Sequence, residues 1–445
     1  MATSRFPWRE QLKNAVTQNI LPLTGRCNLS CLFCSNRQNP SWVEVFSFPP
    51  LPMEDVEWLI EALDPSQKII IGEAASRLQE GEPLTHPHFN QVLLRLREKY
   101  PDTTLQITTN GTFLEEKLLK FFQEVMPLEL VVSLNCVSYQ GRAQLMNDSS
   151  PDRTLEGVSR IKEYGINFQG SVVGAPQVTG KPELENTVKF LDWQGAETVR
   201  VFLPGVTRFS RQTRILAEYW PWGIPEIVEN LKEEVSAPLL LEPPLIEDLS
   251  PRVEGITPNS PAEFYGFNRG DLVLRVDNGI PRTRVEAYHE IYQRANPVVR
   301  YQRGENHYES MIEKSIKTPS GLVFYRDLDP WEVERVDKRS RGRRSLILTS
   351  RLAYPLWKAA LKNFGLTEID LQEVSASFLG GTIASAGLLT VDDFAKKLLH
   401  LSTGSQYSYV FLPPLAFDHR GRDLLGKSYL DLLDNFSSPP EIVIL

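Results

Sequence analysis

Three of the four cysteines fall within eight residues: Cys27-Asn28-Leu29-Ser30-Cys31-Leu32-Phe33-Cys34. No other feature restricts this chain as tightly. Thiolates spaced by three residues and then two must be presented by one loop around one centre, and that loop needs a rigid scaffold. Zinc takes four closed ligands, usually from two pairs, and no second pair exists here; the next histidines in the sequence, His86 and His88, are far away. A ferredoxin cluster also takes four thiolates, and the remaining cysteine is Cys136, with nothing near it repeating the motif. Three thiolates on a four-iron cluster would leave one iron open to a small chelating ligand.

Four cysteines are too few for a secreted disulfide framework. The N-terminal stretch MATSRFPWREQLKN lacks the apolar core of a secretory signal. No apolar run approaches the roughly 20 residues of a membrane-spanning helix. A cytoplasmic chain with no membrane partner is expected. Its net charge of −8 argues against a nucleic-acid partner held by a broad basic field. At 445 residues the chain exceeds the size of one core, and two or three domains are expected.

Apolar alternation and helical periodicity take turns after the cysteines. Residues 15–23 read as a first strand leading into the cysteine loop. Helices follow at 53–63, 89–100, 114–125, 155–164 and 183–193, and strands at 67–71, 104–108, 129–135, 168–173 and 198–203. This order predicts a parallel sheet.

The cysteine spacing, with Phe33 just before the third cysteine, resembles the signature of the radical S-adenosylmethionine (SAM) superfamily. The resemblance implies a partial (β/α)6 barrel with its chemistry at the C-terminal ends of the strands. It implies a 4Fe–4S cluster on Cys27, Cys31 and Cys34, whose open iron holds the amino and carboxylate groups of SAM. One electron then cleaves the sulfonium bond to a 5′-deoxyadenosyl radical. Gly81-Glu82-Pro83 is similar to the superfamily's Gly-Gly-Glu-Pro segment, with Glu80 in place of the first glycine. Glu82, or Glu73 directly after the second predicted strand, is expected to meet the SAM ammonium, and Glu82 matches further along its flanks. Phe33, Gly81, Asn110, Ser133 and Asn135 are the other expected cofactor contacts, with Thr112 beside them. Cys136 is expected to be a buried small hydrophobe or a group facing the cavity.

Residues 215–225 and 239–251 are proline-rich connectors around a helix at 226–235. The stretch from Val253 to Gly279, with Ser260-Pro261-Ala262-Glu263 and Gly270-Asp271, resembles a PDZ domain, with a second helix at 285–295 and a late strand at 297–303. PDZ domains capture peptide C-termini with free backbone N–H groups. Pro251 stands in the corresponding loop and has none, so docking or scaffolding is the expected role. In the last third, 338–344 (KRSRGRR) is a basic run, 346–349, 369–374 and 409–413 are strands, and 352–363 and 391–400 are helices. Phe378 to Gly381, where the turn Gly380-Gly381 is either a tight structural turn or an anion cradle, and Ala386 to Thr390 resemble bacterial radical SAM proteins that join a PDZ module to an uncharacterised C-terminal domain.

The domains are therefore expected at 1–215 (radical SAM partial barrel), 216–248 (linker), 249–315 (PDZ-like, β-rich) and 316–445 (C-terminal α/β). The implied activity is radical SAM chemistry on an unknown small-molecule or protein substrate, with a reductant such as a ferredoxin or flavodoxin. The competing class is a non-enzymatic iron–sulfur sensor that docks partners through the PDZ-like module.

Overall fold

Every second side chain of the strands in the first half of the chain is buried, and this parity sets the architecture. The computed structural model describes residues 8–34, 36, 40, 42–75, 77–211, 213–216, 223–401, 407–436 and 439–445; residues 1–7 and, in the proline-rich connector, 217–222 lie outside the described residues. Strands β1 (Ile69–Ile71), β2 (Leu105–Thr109), β3 (Leu128–Ser133), β4 (Asn167–Val173) and β5 (Val199–Phe202) pair in parallel, each with the next. A sixth strand, Leu239–Glu242, completes the sheet in chain order. The connecting helices are α1 (Trp8–Thr17), α2 (Met53–Glu61), α3 (Phe89–Lys99), α4 (Glu116–Glu124), α5 (Tyr139–Met146), α6 (Pro151–Arg160), α7 (Pro176–Thr179) and α8 (Lys181–Trp193). Helices between parallel strands in sequence order supply the crossover connections such a sheet needs.

Leu105, Ile107, Leu130, Val132, Phe168, Val172, Val199 and Val201 are fully buried. A β-carbon added at Gly170 would meet Leu191 of α8 at 2.7 Å. This is therefore the helix-covered face of the sheet. The alternate residues Gln106, Thr108, Val131, Ser133, Gln169, Ser171 and Val173 are half-buried on the other face.

Two expectations fail here. The first strand expected at 15–23 is largely helix and turn. Trp8, Gln11, Leu12 and Ala15 are buried at helical spacing, so the apolar residues belong to a 3.6-residue period. Asn19 then turns the chain at φ 56°, and Ile20 forms one parallel bridge to Ile70. The strand expected as the sixth, 198–203, is the fifth, and the sixth lies inside a stretch expected to be a connector. Helix α5 has no sequence expectation: it buries Gly141 and Arg142 with Leu145 and Met146, a face without an apolar stripe.

The chain divides into two compact units. The first runs to Ile227 and takes in Gly380–Ile383 and Phe417–Gly426. Within it, Asp418 is buried and accepts Arg77 Nη1 at 2.5 Å, while Arg77 also pairs with Glu44. The backbone N–H groups of Arg420 and Arg422 donate to Asp418 at 2.9 Å.

The second unit holds Val228–Leu379, Ala384–Ala416 and Lys427–Leu445. One part has an antiparallel sheet of Leu272–Val276, Val298–Arg303 and Asn306–Met311, and a short pair of Gly255–Ile256 with Leu322–Val323. Helices Pro261–Phe264 and Arg284–Tyr292 are capped by Ser260 and Thr283. Phe267, Val273, Ala287, Val299 and Tyr301 are in its core. The other part is a parallel sheet ordered Ile369–Val374, Ser345–Ser350, Tyr409–Leu412, Glu441–Ile444. Helix Val391–His400 starts at a capping box of Thr390 and Asp393. The last strand had no sequence expectation.

Removing one partner of a buried ion pair strands the other charge. Arg77→Ala is expected to lower the stability of the unit containing the cysteine loop by roughly 3–5 kcal/mol. Urea unfolding followed by tryptophan fluorescence measures it, and a loss below about 1 kcal/mol would show a pair no more important than an exposed one.

Candidate functional site

Two short backbone contacts fix the cysteine loop. Gly81 N–H donates to the Thr24 carbonyl at 2.7 Å, and Glu82 N–H to the Arg26 carbonyl at 2.8 Å. The chains approach so closely that a β-carbon at Gly81 would lie 1.8 Å from the Arg26 oxygen. Only glycine fits there. On the other side of the loop, Ser30 N–H and Leu32 N–H donate to the carbonyls of Met146 and Leu145 at the end of α5, at 3.2 and 2.8 Å. Cys31, Leu32 and Phe33 pack against an apolar cluster that includes Leu29, Cys136, Leu145, Met146, Ala175 and Val206.

A polar network joins the loop to the C-terminal end of β2. Asn110 Nδ2 donates to Asn28 Oδ1 at 2.9 Å and approaches Cys27 Sγ at 3.8 Å. Asn28 Nδ2 donates to Thr112 Oγ1, and Thr112 Oγ1 to Asn110 Oδ1, at 2.8 and 2.7 Å. Glu82 is buried beside it. Its carboxylate accepts Thr109 Oγ1 and Asn110 N–H, both at 2.8 Å, and caps the turn Pro83–Thr85 through Leu84 N–H at 3.4 Å. Glu73 is held separately by Gln106 and Thr108 at 3.1 Å. The expected residues Cys27, Cys31, Cys34, Gly81, Glu82, Asn110 and Thr112 are thus brought onto one loop system, with Phe33 in the apolar layer under it.

Ser133 stands late in β3 on the half-buried face. Asn135 is engaged in the fold: at φ 61°, its Oδ1 accepts Val173 N–H at 2.7 Å and its Nδ2 donates to the Ser133 carbonyl at 3.1 Å. His86 is also occupied, with Nε2 on the Leu51 carbonyl and Nδ1 accepting His88 N–H, and burial lowers its pKa. The Gly380-Gly381 turn is structural. Gly381 has φ 66°, a β-carbon there would lie 2.0 Å from the Val206 oxygen, and Thr382 Oγ1 donates to the Pro204 carbonyl and accepts Val206 N–H, at 2.8 and 2.9 Å.

Sequence reasoning missed Arg142, a fully buried side chain of α5. It donates to Asp148 at 2.7 Å and to the Leu134 carbonyl at 2.6 Å. Its charge favours the thiolates of Cys31 and Cys136. The only available signal was an Arg six residues before an Asp.

The cysteine sulfurs suit a metal cluster. Burial, and then the neighbouring Cys34 and Cys27, push the Cys31 thiol up to about 12; burial also raises Cys27. Cys27 and Cys31 therefore favour the thiol form, and metal binding would displace their protons. Among the described residues, no three His, Cys, Asp or Glu side chains form the compact set that holds a single ion. Cys27, Cys31 and Cys34 stand on one loop, and thiolates are the ligands an iron–sulfur cube takes. Cys136, buried and pushed up to about 12, sits in the apolar layer.

Gly81→Ala is expected to detach the cysteine loop, read as faster amide exchange at residues 24–34 with the sheet still protected; unchanged exchange would contradict the account. Burial pushes Glu82 up to about 7 from the ordinary 4.5. The folded, cluster-free protein therefore holds a proton that the unfolded chain has released. The stability this confers is full below pH 4.5 and is lost as pH rises through about 7. Glu82→Gln is expected to flatten that part of the stability profile in urea titrations, and an unaltered slope would contradict a raised pKa.

Residues 21–191 match the family model described as the Radical SAM superfamily. The GTP 3′,8-cyclase of Aquifex aeolicus is 30% identical over 150 residues, which is 34% of this chain and 45% of that protein. The FeMo cofactor biosynthesis protein NifB of Chlorobaculum tepidum is 23% identical over 237 residues, 48% of this chain and 53% of that protein. The chain spans about half the length of the curated relatives it matches. The structure of Streptococcus suis SuiB bound to precursor peptide SuiA aligns with 54% of this chain and 55% of its own, at 15% identity and a TM-score of 0.36. The matched family uses a 4Fe–4S cluster and SAM. Among the described residues no helix is long and apolar enough to cross a membrane. The chain carries a Radical SAM superfamily domain over residues 21–191.

Proposed function

We propose that this chain is a radical SAM enzyme. The observation that carries the reading is the loop of three cysteines, pinned by Gly81 and Glu82 and without a fourth thiol in its polar layer. In this reading Cys27, Cys31 and Cys34 hold the 4Fe–4S cluster and Phe33 shields it. Cluster and SAM together supply a one-electron cleavage of the sulfonium bond that generates a carbon radical. The chain's own residues bind, orient and shield. Glu82 takes the SAM ammonium, whose charge would hold this buried carboxyl ionised. Asn110, Ser133 and Asn135 line the adjoining strand ends, and Gly81 contributes by fixing the loop. The substrate is a small molecule or protein, and the electron comes from a ferredoxin or flavodoxin in the cytoplasm.

The same reading gives residues 1–215 to the partial barrel, 216–248 to a linker, 249–315 to a PDZ-like module and 316–445 to a C-terminal α/β domain. Docking is favoured over peptide capture for the module. The N–H groups of Arg252 and Val253 are taken by the carbonyls of Ser250 and Asp271, at 2.6 and 2.9 Å, and Pro251 has none to offer a carboxylate.

Anaerobic reconstitution with iron and sulfide, followed by dithionite and SAM, tests the reading. Release of 5′-deoxyadenosine is expected. Cys27→Ala, Cys31→Ala and Cys34→Ala are each expected to lose bound iron and product, while Cys136→Ala keeps its iron. A wild-type cluster that leaves SAM intact would support the sensor instead, and full iron in the triple variant would refute the ligand assignment.

A further inference from the structure

We propose that Arg200, Ser171 and Gln169, on the face of the sheet turned away from the helices, bind an anionic group of the substrate, a carboxylate or a phosphate. This deepens the radical SAM reading and rests on it.

The argument begins with strand parity. Val199 and Val201 are buried against the helices, so Arg200 between them projects from the opposite face. Ser171 faces the same way, between Gly170, which abuts Leu191, and buried Val172. Arg200 is the register partner of Ser171, and Ser171 that of Ser133. The three side chains therefore stand in one row across neighbouring strands, about 4.8 Å apart per step. Gln169 lies one row nearer the start of β4 on the same face.

The polar groups of this row are available. Arg200 is exposed and has no ion-pair or hydrogen-bond partner among the described residues. The Ser171 hydroxyl and Gln169 amide also have none among them. The same face carries Lys68, immediately before β1, but that ammonium is paired with Glu129 at 2.5 Å. Among the described residues, Arg200 is thus an unpaired cation of the row. A guanidinium flanked by a hydroxyl and an amide suits a planar or tetrahedral oxyanion.

Position supplies the link to chemistry. A radical made from SAM must be made beside the atom it attacks. The reading above gives Ser133 to SAM, and Ser171 is its neighbour across the ladder, so a group held by Ser171 and Arg200 adjoins the cofactor. At the far side of the same face, Glu73 is held by Gln106 and Thr108. Its carboxylate repels an anion from the β1–β2 side, and the substrate's anionic end is directed to β5.

Titration calorimetry on the anaerobically reconstituted full chain tests this, with inorganic pyrophosphate and glutarate as the phosphate and carboxylate probes. Saturable binding of at least one is expected, and the stronger probe identifies the source. Arg200→Gln is expected to weaken it about tenfold, Arg200→Lys less, and Ser171→Ala to weaken it without removing the cation. Cluster absorbance and the circular dichroism spectrum of each variant report an intact fold. Failure of both probes to bind wild-type protein, or equal affinity in folded Arg200→Gln, would overturn the proposal. If wild-type protein binds an anion through Arg200 yet never cleaves SAM, the enzyme reading fails and the anion site stands.

Discussion

The hydrogen bonds from Gly81 and Glu82 to the carbonyls of Thr24 and Arg26 are the constraint on which the site depends. They hold the entry to the cysteine loop against the segment after β1, at a separation no side chain at position 81 would allow. The exit of the loop is held by the end of α5. Between these anchors the loop has few ways to move, so three sulfurs far from regular secondary structure still have a defined place. The same backbone contact delivers the Glu82 carboxyl to Thr109 and Asn110, and Asn110 reaches back to Asn28 and Cys27. Anchor, acid and thiol therefore form one cooperative unit.

Charge burial around this unit follows a consistent rule. Glu80 occupies the position where the superfamily has its first glycine. Its Oε1 accepts the N–H groups of Leu23 and Thr24 at 3.2 and 3.3 Å, which satisfies the backbone leading into the loop. Burial raises its pKa well above the ordinary carboxylate value, which favours the neutral acid beside Glu82. Arg142, by contrast, is buried in an ion pair with Asp148 at 2.7 Å. Its charge favours the ionised, metal-binding form of Cys31, against the larger opposing effect of burial.

Much of this was legible in the sequence because it is written in short-range patterns. The cysteine spacing, the Gly-Glu-Pro segment and the alternation of β2, β3 and β4 each span a few residues. The exceptions have physical causes. Residues 15–23 are apolar enough for a strand, but Trp8, Leu12 and Ala15 complete a helical period that continues to Thr17. Helix α5 is held by its Ser138 cap and by buried Arg142, neither of which makes an apolar stripe. The docking of Thr382 after β5 joins positions more than 170 residues apart, and no local pattern announces such a contact. The Asn135 amide also joins its strand to the next, a contact that no local pattern announces.

Electron paramagnetic resonance of the dithionite-reduced, reconstituted protein tests the central claim most directly. The account predicts a signal of a reduced 4Fe–4S cluster whose g-values shift when SAM is added, because an iron without a protein ligand gains one. A spectrum indifferent to SAM, from protein carrying a full complement of iron and sulfide, would mean that the cluster has no open corner and would contradict the account.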